Sequence, residues 1–229
     1  MTTQKTIGIL AGMGPRSTAP FIDLIITQCQ IQYGAKLDEE FPHMMIYSLP
    51  TPFYVDRPID HNEMKLAVKT GLKRLELTGV NLIALPCNTV HAYFDDLKSS
   101  IKVKLLNIIE ETMRELRGGK RIALIATRPT VESRAYQQYI ECSGAEVVHS
   151  EGIQEKVNAL IIDVKAGKTH GKLSSDWVTL INQVCDAGAD SAIIACTDLT
   201  AFAEVKSDIA ITDSSLALAK AVVAEYLSL

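Results

Sequence analysis

Short runs of β-branched and aliphatic residues alternate along the whole chain with longer stretches of helical period, and this alternation restricts the fold more than any other feature. The runs fall at residues 6–10, 44–49, 81–85, 121–126, 146–149, 191–195 and 209–212. Residues 83–85 and 192–195 are apolar at every position, as expected of parallel strands covered by helices on both faces. Between the runs, helices are predicted over 18–33, 62–77, 110–117, 131–143, 154–166, 175–187 and 214–227. Ser17 is placed to cap the first, with Pro20 in its opening turn. In the second, positions 64, 68, 72 and 75 form an apolar stripe. The fold class expected is α/β: two pseudo-symmetric domains, each a mostly parallel sheet flanked by helices, with the functional site in the cleft between them. The softest joint is Lys98-Ser-Ser-Ile-Lys-Val-Lys104. It puts a first domain at 1–99 together with 213–229 and a second at 100–212.

Composition narrows the class further. In 229 residues, 47% are apolar and 22% charged, which excludes a disordered chain. The net charge is −4 with no block of like charge, so nucleic acid is not an expected partner. The start of the chain carries no signal-peptide pattern, and no apolar run nears the ~18 residues of a membrane span. A cytoplasmic protein without a membrane partner is expected. The five cysteines, at 29, 87, 142, 185 and 196, are odd in number and lack CxxC spacing, so they are read as reduced thiols. Cys29, Cys142 and Cys185, within helical stretches, are read as core residues.

Two phrases repeat between the halves. Asn81-Leu-Ile-Ala-Leu-Pro-Cys-Asn-Thr89 and Ser191-Ala-Ile-Ile-Ala-Cys-Thr-Asp198 each run from a buried strand into cysteine and then into hydrogen-bonding residues. Ligands of open α/β sheets bind at the C-terminal ends of strands, so Cys87 and Cys196 are expected on opposite walls of one cleft. A cysteine that opens a helix has its thiol pKa lowered from ~8.5 by the backbone N–H groups, which favours thiolate near neutral pH. Two such sulfurs across a substrate carbon form an acid and a base that differ by one proton. Asn88, Thr89 and Thr197 follow the cysteines and supply donors for a carboxylate on which charge develops. The loop Ala11-Gly-Met-Gly-Pro15, with Met13 and Gly14, lets its backbone approach the same ligand.

Other readings of these residues carry less. Gly12-x-Gly14-x-x-Ser17 lacks the third glycine of a dinucleotide fingerprint, and the second strand closes on Ser48-Leu-Pro50 without an acid. Cys87-x-x-x-His91 has no second ligand pair, so no metal is expected. His91 is instead read as a supporting residue that orients the site.

The motifs Gly12-Met-Gly-Pro15, Pro86-Cys-Asn-Thr-Val-His91 and Ala195-Cys-Thr-Asp198 resemble those of the aspartate/glutamate racemase family, in its aspartate racemase branch. Asp56-Arg57, Thr127-Arg-Pro-Thr130, Val164-Lys-Ala-Gly167 and Asp213-Ser214 fall in the family's order and approximate spacing. The resemblance implies a homodimeric enzyme independent of pyridoxal phosphate or any other cofactor. It makes Cys87 and Cys196 the catalytic acid/base pair. It puts Arg57 and Lys165 on the side-chain carboxylate of an acidic amino acid, and Thr130 among the substrate-binding residues. Asp56 and Asp198 are read as supporting. The sequence departs from the pattern with Ala11 for the usual Gly, Asp198 for Glu and Thr200 for Pro. The function expected is interconversion of L- and D-aspartate, or glutamate, by two-base proton transfer. Alternatives are a broad-specificity racemase, an isomerase or decarboxylase of a dicarboxylic acid, and a carboxylate-binding protein without activity.

Overall fold

The computed structural model describes residues 5–53, 58–116 and 118–229. Strands β1 (Thr6–Ala11), β2 (His43–Ser48), β3 (Leu82–Ala84) and β4 (Lys104–Leu105) form one parallel sheet, ordered β2-β1-β3-β4. Strands β5 (Arg121–Ala126), β6 (Glu146–Val148), β7 (Ser191–Ala195) and β8 (Ala210–Asp213) form a second parallel sheet, ordered β6-β5-β7-β8. Each sheet therefore repeats the other's winding, and β3 and β7 hold equivalent places. The helices are α1 (Thr18–Tyr33), α2 (His61–Glu76), α3 (Phe94–Lys98), α4 (Ile108–Glu115), α5 (Arg128–Glu132), α6 (Ala135–Cys142), α7 (Glu151–Lys165), α8 (His170–Asp186) and α9 (Ser214–Ser228).

The side-chain alternation of a strand decides what each face touches. Leu82 and Ala84 of β3, Ile122, Leu124 and Ala126 of β5, and Ile193 and Ala195 of β7 all enter one apolar cluster shared by the two sheets. Phe21 and Ile25 of α1, Tyr136 and Ile140 of α6, and Leu218 and Val222 of α9 complete it. The intervening residues face outward. Ile83 packs with Met64, Val68 and Leu72 of α2, while Ile125 and Ile194 pack with Val157, Trp177 and Leu180 of α7 and α8. Because the inner faces of both sheets belong to one core, the two strand sets are fixed relative to each other. Truncating a fully buried leucine or isoleucine there costs about 2–5 kcal/mol.

Local chemistry sets the helix ends. Asp60 accepts from the N–H groups of Asn62 and Glu63 to start α2, Asn107 from Ile109 to start α4, and Ser150 from Ile153 to start α7. Ser17 does not cap α1 as expected; its hydroxyl donates to the Gly14 carbonyl at 2.8 Å. The helix expected over 131–143 is two, because Arg134 takes a left-handed φ of 57° between α5 and α6. The boundary expected at 99 falls inside the first sheet, since Lys104 and Leu105 pair with Leu82 and Ile83. Cys29 is a core residue, but Cys142 is exposed and Cys185 only half-buried, so the expected core role fails for those two. Among the described residues no helix is long and apolar enough to cross a membrane.

Asp213 starts α9 by accepting from the N–H groups of Ser215 and Leu216. Burial pushes its carboxyl up to about 6, against the lowering effect of those N–H groups and the Thr200 hydroxyl. The unfolded chain releases this proton near pH 3.9, so from about pH 4 to 6 the folded form holds a proton that the unfolded form lacks. The residue's contribution to stability therefore declines as pH rises through that window. Asp213→Asn keeps a cap that does not titrate. Thermal unfolding should show it gaining on the wild type between pH 4 and 7 by up to about 3 kcal/mol; a constant difference would contradict this.

Candidate active site

Both cysteines sit where a fully buried strand runs out at its C-terminal end. After β3 the chain passes Leu85 and Pro86 to Cys87 and then winds into a 3₁₀ turn over Thr89–Tyr93. After β7 it reaches Cys196 at once and enters a second 3₁₀ turn over Thr197–Phe202. Cys87 and Cys196 line one small pocket with a cavity volume of about 90 Å³. Met13 and Gly14 come to it from the β1–α1 loop, Thr51 and Phe53 from beyond β2, Met64 from α2, Thr127 from beyond β5 and Lys165 from the end of α7.

The two thiols are nearly closed off from solvent, at 8% and 7% exposure. Burial pushes Cys87 up to about 11; the Asp198 carboxylate raises it further, while the N–H groups of Val90 and Thr89 and the Lys165 ammonium pull it down. Cys196 is raised still further, chiefly by burial and then by Asp198, against the Asp198 N–H and Lys165. The sequence led to the opposite expectation. The backbone N–H groups do reach the sulfurs, yet removing a thiolate from water outweighs them.

Asp198 carries the most unusual electrostatics of the pocket. Its side chain is 4% exposed and one oxygen, Oδ2, pairs with Lys165 Nζ at 2.8 Å. The other oxygen, Oδ1, is buried without a hydrogen-bond partner among the described residues. An unsatisfied buried carboxylate oxygen is costly and rare, and it marks a place for a donor. Lys165 also lies 5.8 Å from the centre of the Phe53 ring. A Cβ at Gly14 would come within 2.7 Å of Lys165 Nζ and 2.9 Å of Asp198 Oδ1, so a side chain there would displace this pair.

Hydrogen bonds between the two strand sets frame the pocket. The Thr197 hydroxyl lies 3.1 Å from the Pro86 carbonyl and 3.2 Å from the Ser17 hydroxyl. Thr89, Thr127 and Thr130 form a triangle of hydroxyls with sides of 2.9, 2.9 and 3.1 Å. Asn88 donates to the Ser214 hydroxyl at 2.9 Å and accepts from the Tyr136 hydroxyl at 2.6 Å. His91 is buried and burial lowers its pKa, so it is neutral. Its Nδ1 lies 2.8 Å from the Cys87 carbonyl, and its ring stacks on Phe94.

The structure thus brings Met13, Gly14, Cys87, Asn88, Thr89, Lys165, Cys196, Thr197 and Asp198 to one pocket wall or another. Thr130 lies behind the wall, where it holds Thr89 and Thr127. Asp56 and Arg57 lie outside the described residues. Sequence reasoning missed Thr127, Thr51 and Phe53, although each follows a strand end and the rule that found the cysteines applies to them. Met64 had been read only as part of the helix stripe. Among the described residues, no group of three or more His, Cys, Asp or Glu side chains is placed to hold a metal ion.

Two parallel sheets with matching thiol-bearing strand ends are the architecture of a racemase fold with two domains. The profile of the Asp/Glu/hydantoin racemase family matches residues 10–222, and the chain belongs to that family. The broad specificity amino-acid racemase RacX of Bacillus subtilis (strain 168) is 48% identical over 224 residues, covering 97% of this chain and 98% of that protein. Among solved structures, the Picrophilus torridus aspartate racemase superposes with a TM-score of 0.84 at 28% identity, over 97% of this chain and 94% of the other. An aspartate racemase homologue from Pyrococcus horikoshii OT3 gives a TM-score of 0.75 at 25% identity, over 98% and 100% of the two chains.

Alkylation by iodoacetamide tests the thiol electrostatics. In the ligand-free protein Cys87 should become reactive only well above neutral pH, and Cys196 at higher pH still. Asp198→Asn removes the charge that opposes both thiolates and frees Lys165, so both profiles should move to lower pH. Unmoved profiles would contradict the influence assigned to Asp198.

Proposed function

We propose that this protein is an amino-acid racemase of broad specificity that moves a proton between Cys87 and Cys196 through the α-carbon of its substrate. The observation that carries the reading is the pair of buried sulfurs, from equivalent strand ends of two equivalent sheets, that line one pocket. One sulfur, as thiolate, takes the α-hydrogen as a proton; the C–H bond breaks and its electron pair stays on the substrate, delocalised into the carboxylate. The opposite thiol gives its proton to the other face of the same carbon and becomes the thiolate. The stereocentre inverts, and atoms and charges balance without a cofactor.

The rest of the pocket fits that task. Asn88, Thr89 and the backbone of Thr197, Met13 and Gly14 are the donors for the α-carboxylate, where negative charge grows in the transition state. One well-aimed donor of this kind is worth about 2.7–4 kcal/mol. Asp198 Oδ1, buried and without a partner among the described residues, suits the substrate ammonium. An ammonium there neutralises the carboxylate that raises both thiols, so substrate binding itself favours the thiolate. His91 supports the Cys87 backbone through its bond to that carbonyl.

Breadth of substrate is supported by charge pairing. The Lys165 ammonium is already matched by Asp198, and Phe53, Met64 and Met13 give the pocket apolar surface. The 48% identical relative described as a broad specificity racemase points the same way. The narrower reading, aspartate or glutamate as substrate with Arg57 as a second cation, draws on the aspartate racemases among the similar structures. A homodimer in the cytoplasm remains part of the proposal. So does a first domain that runs through β4 and is completed by α9.

The test is incubation in D₂O of wild type, Cys87→Ala and Cys196→Ala with L-alanine, L-lysine, L-aspartate and L-glutamate in turn, followed by chiral analysis. Wild type should racemise several of them, and each variant should lose about 10³-fold or more. Wild-type turnover in either variant would sink the two-base reading. Arg57→Ala separates the substrate readings: under broad specificity the neutral and basic substrates keep their rates, whereas a chain dedicated to acidic substrates turns over only those and loses them in the variant.

A further inference from the structure

Tyr136 lies on α6, among the residues of the second sheet, and is fully buried at 0% exposure. Its hydroxyl reaches across to Asn88, the residue after Cys87, and donates to the amide oxygen at 2.6 Å. The amide nitrogen of Asn88 donates one of its two hydrogens to the Ser214 hydroxyl at 2.9 Å. With the oxygen and one N–H committed behind the pocket wall, one N–H of Asn88 remains for the pocket that the residue lines. A half-turn of the same amide would exchange its oxygen and nitrogen, and with them the sign of the dipole offered to a bound anion.

The hydroxyl network decides between these two orientations. Tyr136 has one proton; Asn88 Oδ1 at 2.6 Å is its nearest acceptor, Thr112 Oγ1 lies at 3.3 Å, and the Ser214 hydroxyl is also within its reach. Thr112 spends its own proton on the Ile108 carbonyl at 2.6 Å, so it has none to offer Tyr136. The tyrosine proton goes to the nearest acceptor, which in this structure is the amide oxygen. Burial raises the Tyr136 pKa beyond the ordinary tyrosine range, so the phenol stays a donor.

We infer that Tyr136 is a positioning residue: its hydroxyl fixes the Asn88 amide in the orientation that turns a free N–H toward the carboxylate of the substrate. Tyr136, on α6, reaches the pocket through Asn88, so the donor set of one cysteine motif is held by a helix that packs with the second sheet. The inference rests on the reading of the pocket as an amino-acid site.

The experiment is a double-mutant cycle of Tyr136→Phe and Asn88→Ala. Tyr136→Phe keeps the ring in the core and removes only the hydroxyl, and its unfolding temperature confirms an intact fold. Two readouts are taken: KM and kcat for the best wild-type substrate, and protection of Cys87 and Cys196 from iodoacetamide at pH 9 by 2-aminoisobutyrate, an amino acid without an α-hydrogen. Loss of one aligned donor to a carboxylate corresponds to about tenfold. Tyr136→Phe should therefore raise the protection constant about tenfold and lower kcat/KM by tenfold or more, with most of the loss in kcat, because the same donor meets the charge that grows in the transition state. In the Asn88→Ala background it should change neither, because its only route of action is gone. Wild-type behaviour of Tyr136→Phe, or effects that multiply in the double variant, would overturn the inference while leaving racemisation by the wild type as separate support for the pocket reading. A wild-type protein that neither racemises nor is protected would remove both.

Discussion

Hydrogen bonds that pass from one sheet's loops to the other's hold two strand ends against each other, and the rest of the site follows from that restraint. Thr197 reaches Pro86 and Ser17, Thr89 reaches Thr127 and Thr130, and Asn88 reaches Ser214 and Tyr136. In each case a residue one or two places after a cysteine makes at least one bond to the other half. The backbone beside each sulfur is therefore anchored by the half that carries the opposite sulfur. A shared apolar core supplies most of the stability beneath this layer, while the polar contacts set the register between the two halves.

The same closure creates the electrostatic problem of the pocket. Thiols packed away from water resist ionisation, and the neighbouring Asp198 carboxylate adds to that resistance. Lys165 offsets part of it. A ligand that brings an ammonium and a carboxylate changes this balance more than it would in an open site, because screening by solvent is weak there. In the ligand-free protein these protonated thiols are slow to react with oxidants and alkylating agents.

Much of this was legible in the chain. The alternation of apolar runs and helical stretches pointed to two parallel sheets, and the repeated phrases ending in Cys87 and Cys196 pointed to one pocket. Strand β4 escaped notice because two residues, one of them Lys104, carry no periodicity. The split between α5 and α6 escaped because Arg134 has no glycine-like signature for its left-handed backbone. The direction of the thiol pKa was misjudged, since burial depends on packing from distant segments and a local motif reports only the nearby N–H groups. Tyr136 was invisible as a site residue for the same reason, and Ser214 was named only within a family motif: their importance lies in contacts 48 and 126 positions away from Asn88. Thr130 was placed at the ligand from its motif, but it bonds to Thr89 and Thr127 behind the pocket wall.

The central claim is that two sulfurs address opposite faces of one carbon, and the fate of the isotope during the first few per cent of turnover in D₂O measures it most directly. With two acids of fixed handedness, deuterium should appear in the newly formed enantiomer while the remaining substrate keeps its hydrogen. Equal early labelling of both enantiomers would mean that a single group serves both faces, and the account given for Cys87 and Cys196 would be wrong.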